Sequence, residues 1–213
     1  MTIVQVDFLE NHEEYGFIGA ECSILVNGRL QKDIDWFEKR DYLVENGIGL
    51  VGNVFEYAIY GPVTRTCTLL YRKKILDAFP CAPCGDLTLE AMLAHESLFA
   101  RVEEPCCVYR VHSGGLSNSR SFNGQLRYHQ WNVNNRRLLH QLFPEKCQFD
   151  EQEFMDRETY IRLKKCVHDF QYKKALFYRG QICSYSIRNK AFVKYLRGPI
   201  SFFLLYIKLR LSK

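Results

Sequence analysis

Residues 83–117 gather several groups that can do chemistry. They are the Asp86 carboxylate, the Arg110 guanidinium, the His112 imidazole, the Ser113 hydroxyl and the bare backbone of Gly114 and Gly115. Carboxylates and imidazoles can take or give a proton. An imidazole can also ligate a metal. Arg110 could hold a phosphate or pair with Glu103 or Glu104. Adjacent glycines let the backbone approach a ligand closely. A second set, Thr64, Thr66 and Thr68, places a hydroxyl at every other position.

The elements that must hold these groups follow from hydrophobic spacing. After Gly85-Asp86, apolar residues recur at Leu87, Leu89, Met92, Leu93 and Leu98, close to helical spacing. Asp86 then sits near a helix N-terminus, where orphan N–H groups and the dipole favour negative charge, and an N-cap is its plainest role. Phe99 to Pro105 reads as a connection, and Cys106 to Val111 as a strand. His112-Ser-Gly-Gly-Leu-Ser has turn composition. The run Thr64 to Leu76 alternates like a strand before entering a helix, which puts Thr64, Thr66 and Thr68 on one face.

This order resembles the second half of the catalytic domain of family-2 glycosyltransferases, inverting sugar-nucleotide enzymes with a GT-A fold. Gly85-Asp86 matches the acidic pair that opens a helix there. Tyr109-Arg-Val-His-Ser-Gly-Gly-Leu-Ser117 matches the family's later turn. The resemblance covers about residues 4–118. It implies an α/β fold: a partial GT-A mixed sheet with flanking helices, followed by a C-terminal helical extension. Residues 1–120 would be the acceptor-side half and 121–213 the extension. By resemblance Asp86 is the catalytic base and His112 touches the metal or the diphosphate. Arg110, Ser113, Gly114 and Gly115 would contact phosphate or substrate, and Thr64, Thr66 and Thr68 would line the acceptor pocket. The implied cofactor is Mg²⁺ or Mn²⁺. The family's Asp-x-Asp metal motif would stand before Gln5, where no residue supplies it. The expectation is therefore of an N-terminally incomplete hexosyltransferase in polysaccharide biosynthesis. Its partners would be a nucleotide-sugar donor and a glycan or lipid-linked acceptor.

Composition bounds this reading. The 213 residues are 47% hydrophobic and 25% charged, enough for one domain with a core and a small appendage. The N-terminus has no basic segment followed by a long apolar run. Nine cysteines form no framework pattern, so reduced thiols in a cytoplasmic setting are expected. Cys81-Ala-Pro-Cys84 with Cys106-Cys107 could suggest zinc. Adjacent cysteines chelate poorly and no second CxxC follows, so burial as small hydrophobes is the expected state.

Elsewhere, residues 1–15 read as a helix and Phe17 to Val26 as a strand ending in the Asn27-Gly28 turn. Residues 31–48 read as an amphipathic helix with Ile34, Phe37 and Leu43 inward and Gly47 as its stop. Residues 121–142 and 148–179 read as helices. From Gln171 to Lys213 there are ten Lys/Arg and no Asp/Glu, while residues 1–170 carry 19 basic and 24 acidic side chains. Ile200 to Ile207 is apolar, but eight helical residues span only ~12 Å. A bilayer core needs ~30 Å. The expectation is a peripheral protein whose residues 171–213 lie on an anionic membrane, at its inner face.

Two other classes stay open. One is a noncatalytic remnant that binds a glycan, a lipid or a partner. The other is a nucleic-acid-binding module, which the basic, aromatic tail fits weakly and no recognition motif supports. Deleting residues 190–213 is expected to release the protein from anionic liposomes in co-sedimentation. Equal binding with and without the tail would remove the membrane expectation.

Overall fold

A computed structural model describes residues 3–32, 43–112, 121–169, 171–184 and 187. The chain divides into two compact units, residues 1–118 with 134–148, and residues 119–133 with 149–213. The first is mixed α/β.

Its centre is β1 (Tyr15–Val26) paired in parallel with β6 (Leu98–Val111). Around them stand β2 (Arg29–Lys32), β3 (Leu43–Glu45), β4 (Ile48–Gly52) and β5 (Leu70–Tyr71). The order is β2-β1-β6-β4-β3, with β5 also paired to β1, and every pairing except β1–β6 is antiparallel. Residues Tyr15 to Ala20 are all buried, because both sheet faces are covered. On one face Phe17 and Phe99 meet at 4.8 Å between centroids. They pack with Val54, Ala58 of α2 (Phe55–Ala58), and Ala91, Leu93 and Ala94 of α3 (Asp86–Glu96). On the other face Ile18, Ala20, Ala100 and Val102 meet Leu9 of α1 (Ile3–Asn11).

The β1–β6 register shifts once between Tyr15 and Phe17 and again on both sides of Glu21, where the cause is local. Ala20 faces Val102, Glu21 faces Pro105 and Cys22 faces Cys107, so β6 accommodates extra residues about Pro105. Proline has no N–H for a ladder and belongs at such a bulge. β6 is therefore one long strand from Leu98, where the sequence suggested a connection up to Pro105.

The expected helix over 31–48 is corrected in part. Residues 33–42, with Ile34 and Phe37, lie outside the described residues. Leu43–Glu45 is a strand, Leu43 is exposed, and Asn46-Gly47 is a hairpin turn with φ of 51° and 76°. Two consecutive positive φ values are the two-residue hairpin geometry that Asn-Gly favours. Asn27-Gly28 makes the same turn between β1 and β2, with φ of 50° and 77°.

The second unit is helical. α4 (Phe122–Leu142) begins in it, and α5 (Glu151–His168) starts where Asp150 accepts the Glu153 N–H at 3.2 Å. Three i,i+4 pairs, Glu153–Arg157, Glu158–Arg162 and Lys165–Asp169, lie along α5. At such exposed sites solvent and salt screen each pair, so each adds little to stability. α6 (Tyr172–Gln181) packs on α5 through Leu163, Cys166, Val167, Ala175 and Ile182. Buried Asp156 accepts the Cys183 N–H at 3.0 Å and the Ser184 N–H, which ties the chain after α6 to α5. Among the described residues no helix is long and apolar enough to cross a membrane. Most of the tail expected to lie on a membrane, residues 188–213, lies outside the described residues.

Gly16 on β1 has no room for a side chain: a Cβ there would stand 2.1 Å from Ile75 Cδ1 and 2.2 Å from Ser97 Oγ. Gly16→Ala is expected to destabilise the fold by about 1–3 kcal/mol, as overpacking does. Urea unfolding checks this, and an unchanged midpoint would refute it.

Candidate functional site

α3 starts at Asp86 because the residues around it satisfy its first turn from both sides. Gly85 is the N-cap. The buried Thr88 hydroxyl accepts the Cys84 N–H at 3.0 Å and the Gly85 N–H at 3.1 Å, and donates to Gly85 O at 2.9 Å. The capping role the sequence suggested for Asp86 is thus filled by its neighbours. Asp86 is the first helical residue. Its half-buried carboxylate accepts the Thr66 hydroxyl at 3.0 Å on Oδ2 and the Leu87 N–H at 3.1 Å on Oδ1.

One turn later on the same helix face stands Glu90, fully buried. Its Oε2 accepts the Val63 N–H at 2.5 Å and the Thr64 N–H at 3.2 Å. Its Oε1 is buried with no hydrogen-bond partner among the described residues. Burial pushes its pKa up to about 8; the two N–H groups oppose that rise and the nearby Asp86 adds to it. That rise favours the protonated form of Glu90 at neutral pH. Sequence reasoning missed Glu90. The signal was present: a single acid inside a helix whose flanking residues Leu87, Ala91, Met92, Leu93 and Ala94 are apolar on every side.

The three threonines do not lie on a strand. Thr66–Thr68 is a 3₁₀ turn closed by Thr68 N–H to Arg65 O at 2.7 Å, and only Leu70–Tyr71 pairs with β1. The bonds from Val63 and Thr64 to Glu90 use the N–H groups that a ladder would need. Thr68 donates its hydroxyl to Arg65 O at 2.8 Å, so Thr64 is the donor in their 2.9 Å hydroxyl pair. Gly19 makes this approach possible, since a Cβ there would stand 2.2 Å from Thr64 Oγ1. Gln5, buried on α1, donates to Thr68 O at 2.8 Å. Thr66 alone of the three reaches Asp86.

Arg110 and His112 are exposed at the far end of β6. Cys67, next to Thr66, touches Cys107 on β6. His112 lies five residues further along, roughly 16 Å at strand rise. The described contacts do not bring His112 to Asp86. Ser113, Gly114 and Gly115 lie outside the described residues. In the second unit a cavity of about 380 Å³ is lined by Phe122, Gln125, Ile161, Lys164, Lys165 and His168. None of the sequence-derived site residues lines it.

A hard divalent cation wants a shell of oxygens. Among the described residues, the cluster of three or more potential His, Cys, Asp or Glu ligands is made of thiols. That set does not fit Mg²⁺ or Mn²⁺. The chain does contain one Asp-x-Asp triplet, Asp33-Ile34-Asp35, after β1 rather than before it. It lies outside the described residues.

No protein-family model, no curated protein and no solved structure matches the chain. The family resemblance therefore rests on the two motifs and their order.

Glu90 gives stability a definite pH dependence. Unfolded, it ionises near 4.5; folded, near about 8. Between these values the native state binds one more proton than the unfolded chain. Stability should thus fall as pH rises across that window, by up to about 1.4 kcal/mol per unit. The contribution is whole below the lower value and lost above the upper one. Glu90→Gln, which keeps an oxygen for Val63 and Thr64, is expected to flatten that slope in urea unfolding at a series of pH values. An unchanged slope would show that Glu90 is ionised in the fold.

Proposed function

We propose that residues 4–118 serve as the acceptor-side half of an inverting glycosyltransferase of family-2 type, with a GT-A-like arrangement. It moves a hexose from a nucleotide sugar to a glycan or a lipid-linked acceptor, at the inner face of a membrane held by residues 171–213. Its donor-binding half is not among the residues that carry the resemblance. The observation that carries the proposal is Asp86: a half-buried carboxylate on the first turn of α3, oriented by the Thr66 hydroxyl, with Glu90 enclosed one turn away.

The chemistry asks for such a group. The acceptor hydroxyl forms a bond to the anomeric carbon as the bond to the leaving nucleoside diphosphate breaks. The hydroxyl proton must pass to a base on the acceptor side. Asp86 takes that proton on Oδ1 or Oδ2. Thr66 holds the carboxylate in one orientation, which positions it for an incoming hydroxyl. Glu90, one turn on, is enclosed and faces Val63 and Thr64, so Asp86 is the acid of that helix face left within reach of an acceptor. Arg110 and His112 on the exposed end of β6 are assigned to the diphosphate side, on the resemblance alone.

A second reading, binding without catalysis, is favoured by the cavity of the helical unit. Its lysines and its Phe122 and Ile161 walls suit an anionic amphiphile.

Asp86→Asn, assayed together with a donor-binding half, is expected to lower hexose transfer by about 10²–10⁴-fold. The unfolding midpoint should stay unchanged, because asparagine keeps an oxygen for Thr66. Undiminished transfer would rule out the base assignment.

A further inference from the structure

Three sulfurs converge where the bulge at Pro105 sets β6 against β1. Cys22 and Cys107 are register partners on the two parallel strands, and Cys67 reaches them from the 3₁₀ turn. Cys67 Sγ is 3.2 Å from Cys107 Sγ, Cys107 Sγ is 3.3 Å from Cys22 Sγ, and all three lie within 4.8 Å of one another. The hydrogens run one way: Cys107 donates to Cys22, Cys22 donates to Ser23 O at 3.3 Å, and Cys67 is left to donate to Cys107. Cys22 is buried, Cys107 half-buried and Cys67 exposed, which gives the cluster a floor and an opening. All nine cysteines are among the described residues, and none is in a disulfide.

From this arrangement we infer that Cys22, Cys67 and Cys107 form a binding site for a thiophilic d¹⁰ cation, Cu⁺ or Zn²⁺. Zn–S bonds of ~2.3 Å in a tetrahedron hold their sulfurs about 3.8 Å apart. The two short edges fall about half an ångström below that spacing and the third is no longer than 4.8 Å, so a cation has to spread the short edges by about half an ångström. Soft sulfur ligands select Cu⁺ and Zn²⁺ over the hard cations. Binding is a simple exchange: each thiol loses its proton, the cation takes three thiolates, and no electron moves. Cu⁺ is satisfied by three sulfurs, whereas Zn²⁺ adds a solvent ligand through the Cys67 opening. This set is not the one the sequence suggested. Cys81 and Cys84 are exposed and outside it, and Cys106 points from β6 toward the α1 side of the sheet.

The site does not depend on the transferase reading. It does share an element with it, since Cys67 lies between Thr66, which holds Asp86, and Thr68. A bound cation would pin that turn to the sheet.

The test uses the full chain, reduced and metal-free, titrated anaerobically with Zn²⁺ and separately with Cu⁺ against a chromophoric competitor. One equivalent is expected per chain, with proton release and a sulfur-dominated shell in X-ray absorption. The tighter arm identifies the cation. Cys67→Ser, at an exposed position, should weaken binding at least tenfold; Cys107→Ser gives a second check. The double variant Cys81→Ser, Cys84→Ser should bind as the parent does. Binding that survives Cys67→Ser and Cys107→Ser, or that disappears with Cys81 and Cys84, would overturn the assignment. So would the absence of binding in both titrations.

Discussion

The parallel pairing of β1 with β6 is the interaction on which the rest depends. Up to the bulge it is buried on both faces, so its strands there must carry apolar side chains on both sides and tolerate close neighbours. Phe17 against Phe99 fills one face, and Ile18 against Ala100 fills the other. Gly16 and Gly19 leave room for Ser97 and Thr64. Each fully buried aromatic or aliphatic side chain here contributes on the order of 1.5–3 kcal/mol. The same pairing sets the position of everything beyond the bulge, including Cys107 and the exposed end that carries Arg110 and His112.

A single buried acid shapes the loop beside that sheet. Glu90 draws the Val63 and Thr64 N–H groups inward, so the chain turns instead of continuing as a strand. A 3₁₀ turn has three residues per turn, so consecutive side chains point about 120° apart. That geometry distributes Thr66, Cys67 and Thr68 among three neighbours. Thr66 reaches Asp86 on α3, Cys67 reaches Cys107 on β6, and Thr68 turns in toward Thr64. Just before the turn, Arg65 lies over the Tyr109 ring at 5.2 Å. One short turn thus serves an oxygen site and a sulfur site. The elements around it hold it in place, with Gln5 of α1 bonding Thr68 O and Gly19 of β1 admitting Thr64.

Ionisation follows the same logic of position. Asp86 and Glu90 are one helical turn apart, yet one is half-buried with a hydroxyl donor and the other is enclosed. Pairs of acids with divergent environments are where proton-transfer roles separate. Asp156 in the helical unit makes the contrast, because its burial serves structure. It accepts N–H groups at the end of α6, and so fastens a connection.

Much of this was legible in the chain itself. The helical spacing after Gly85-Asp86 marks α3, the apolar run from Phe17 marks β1, the Asn27-Gly28 pair marks a hairpin, and Asp150 marks the start of α5. These are local signals, written in residues that touch one another along the sequence. Asn46-Gly47 was an equally clear hairpin signal, hidden by the charged stretch before it. Tertiary structure alone decided the rest. Alternating threonines look like a strand until a distant acid takes the Val63 and Thr64 N–H groups. The apolar residues around Glu90 signal its burial, but only the fold brings Val63 and Thr64 to its carboxyl group. Three cysteines at positions 22, 67 and 107 have no shared spacing at all. They meet because parallel pairing joins strands far apart in sequence, and because the bulge about Pro105 shifts one of them into register.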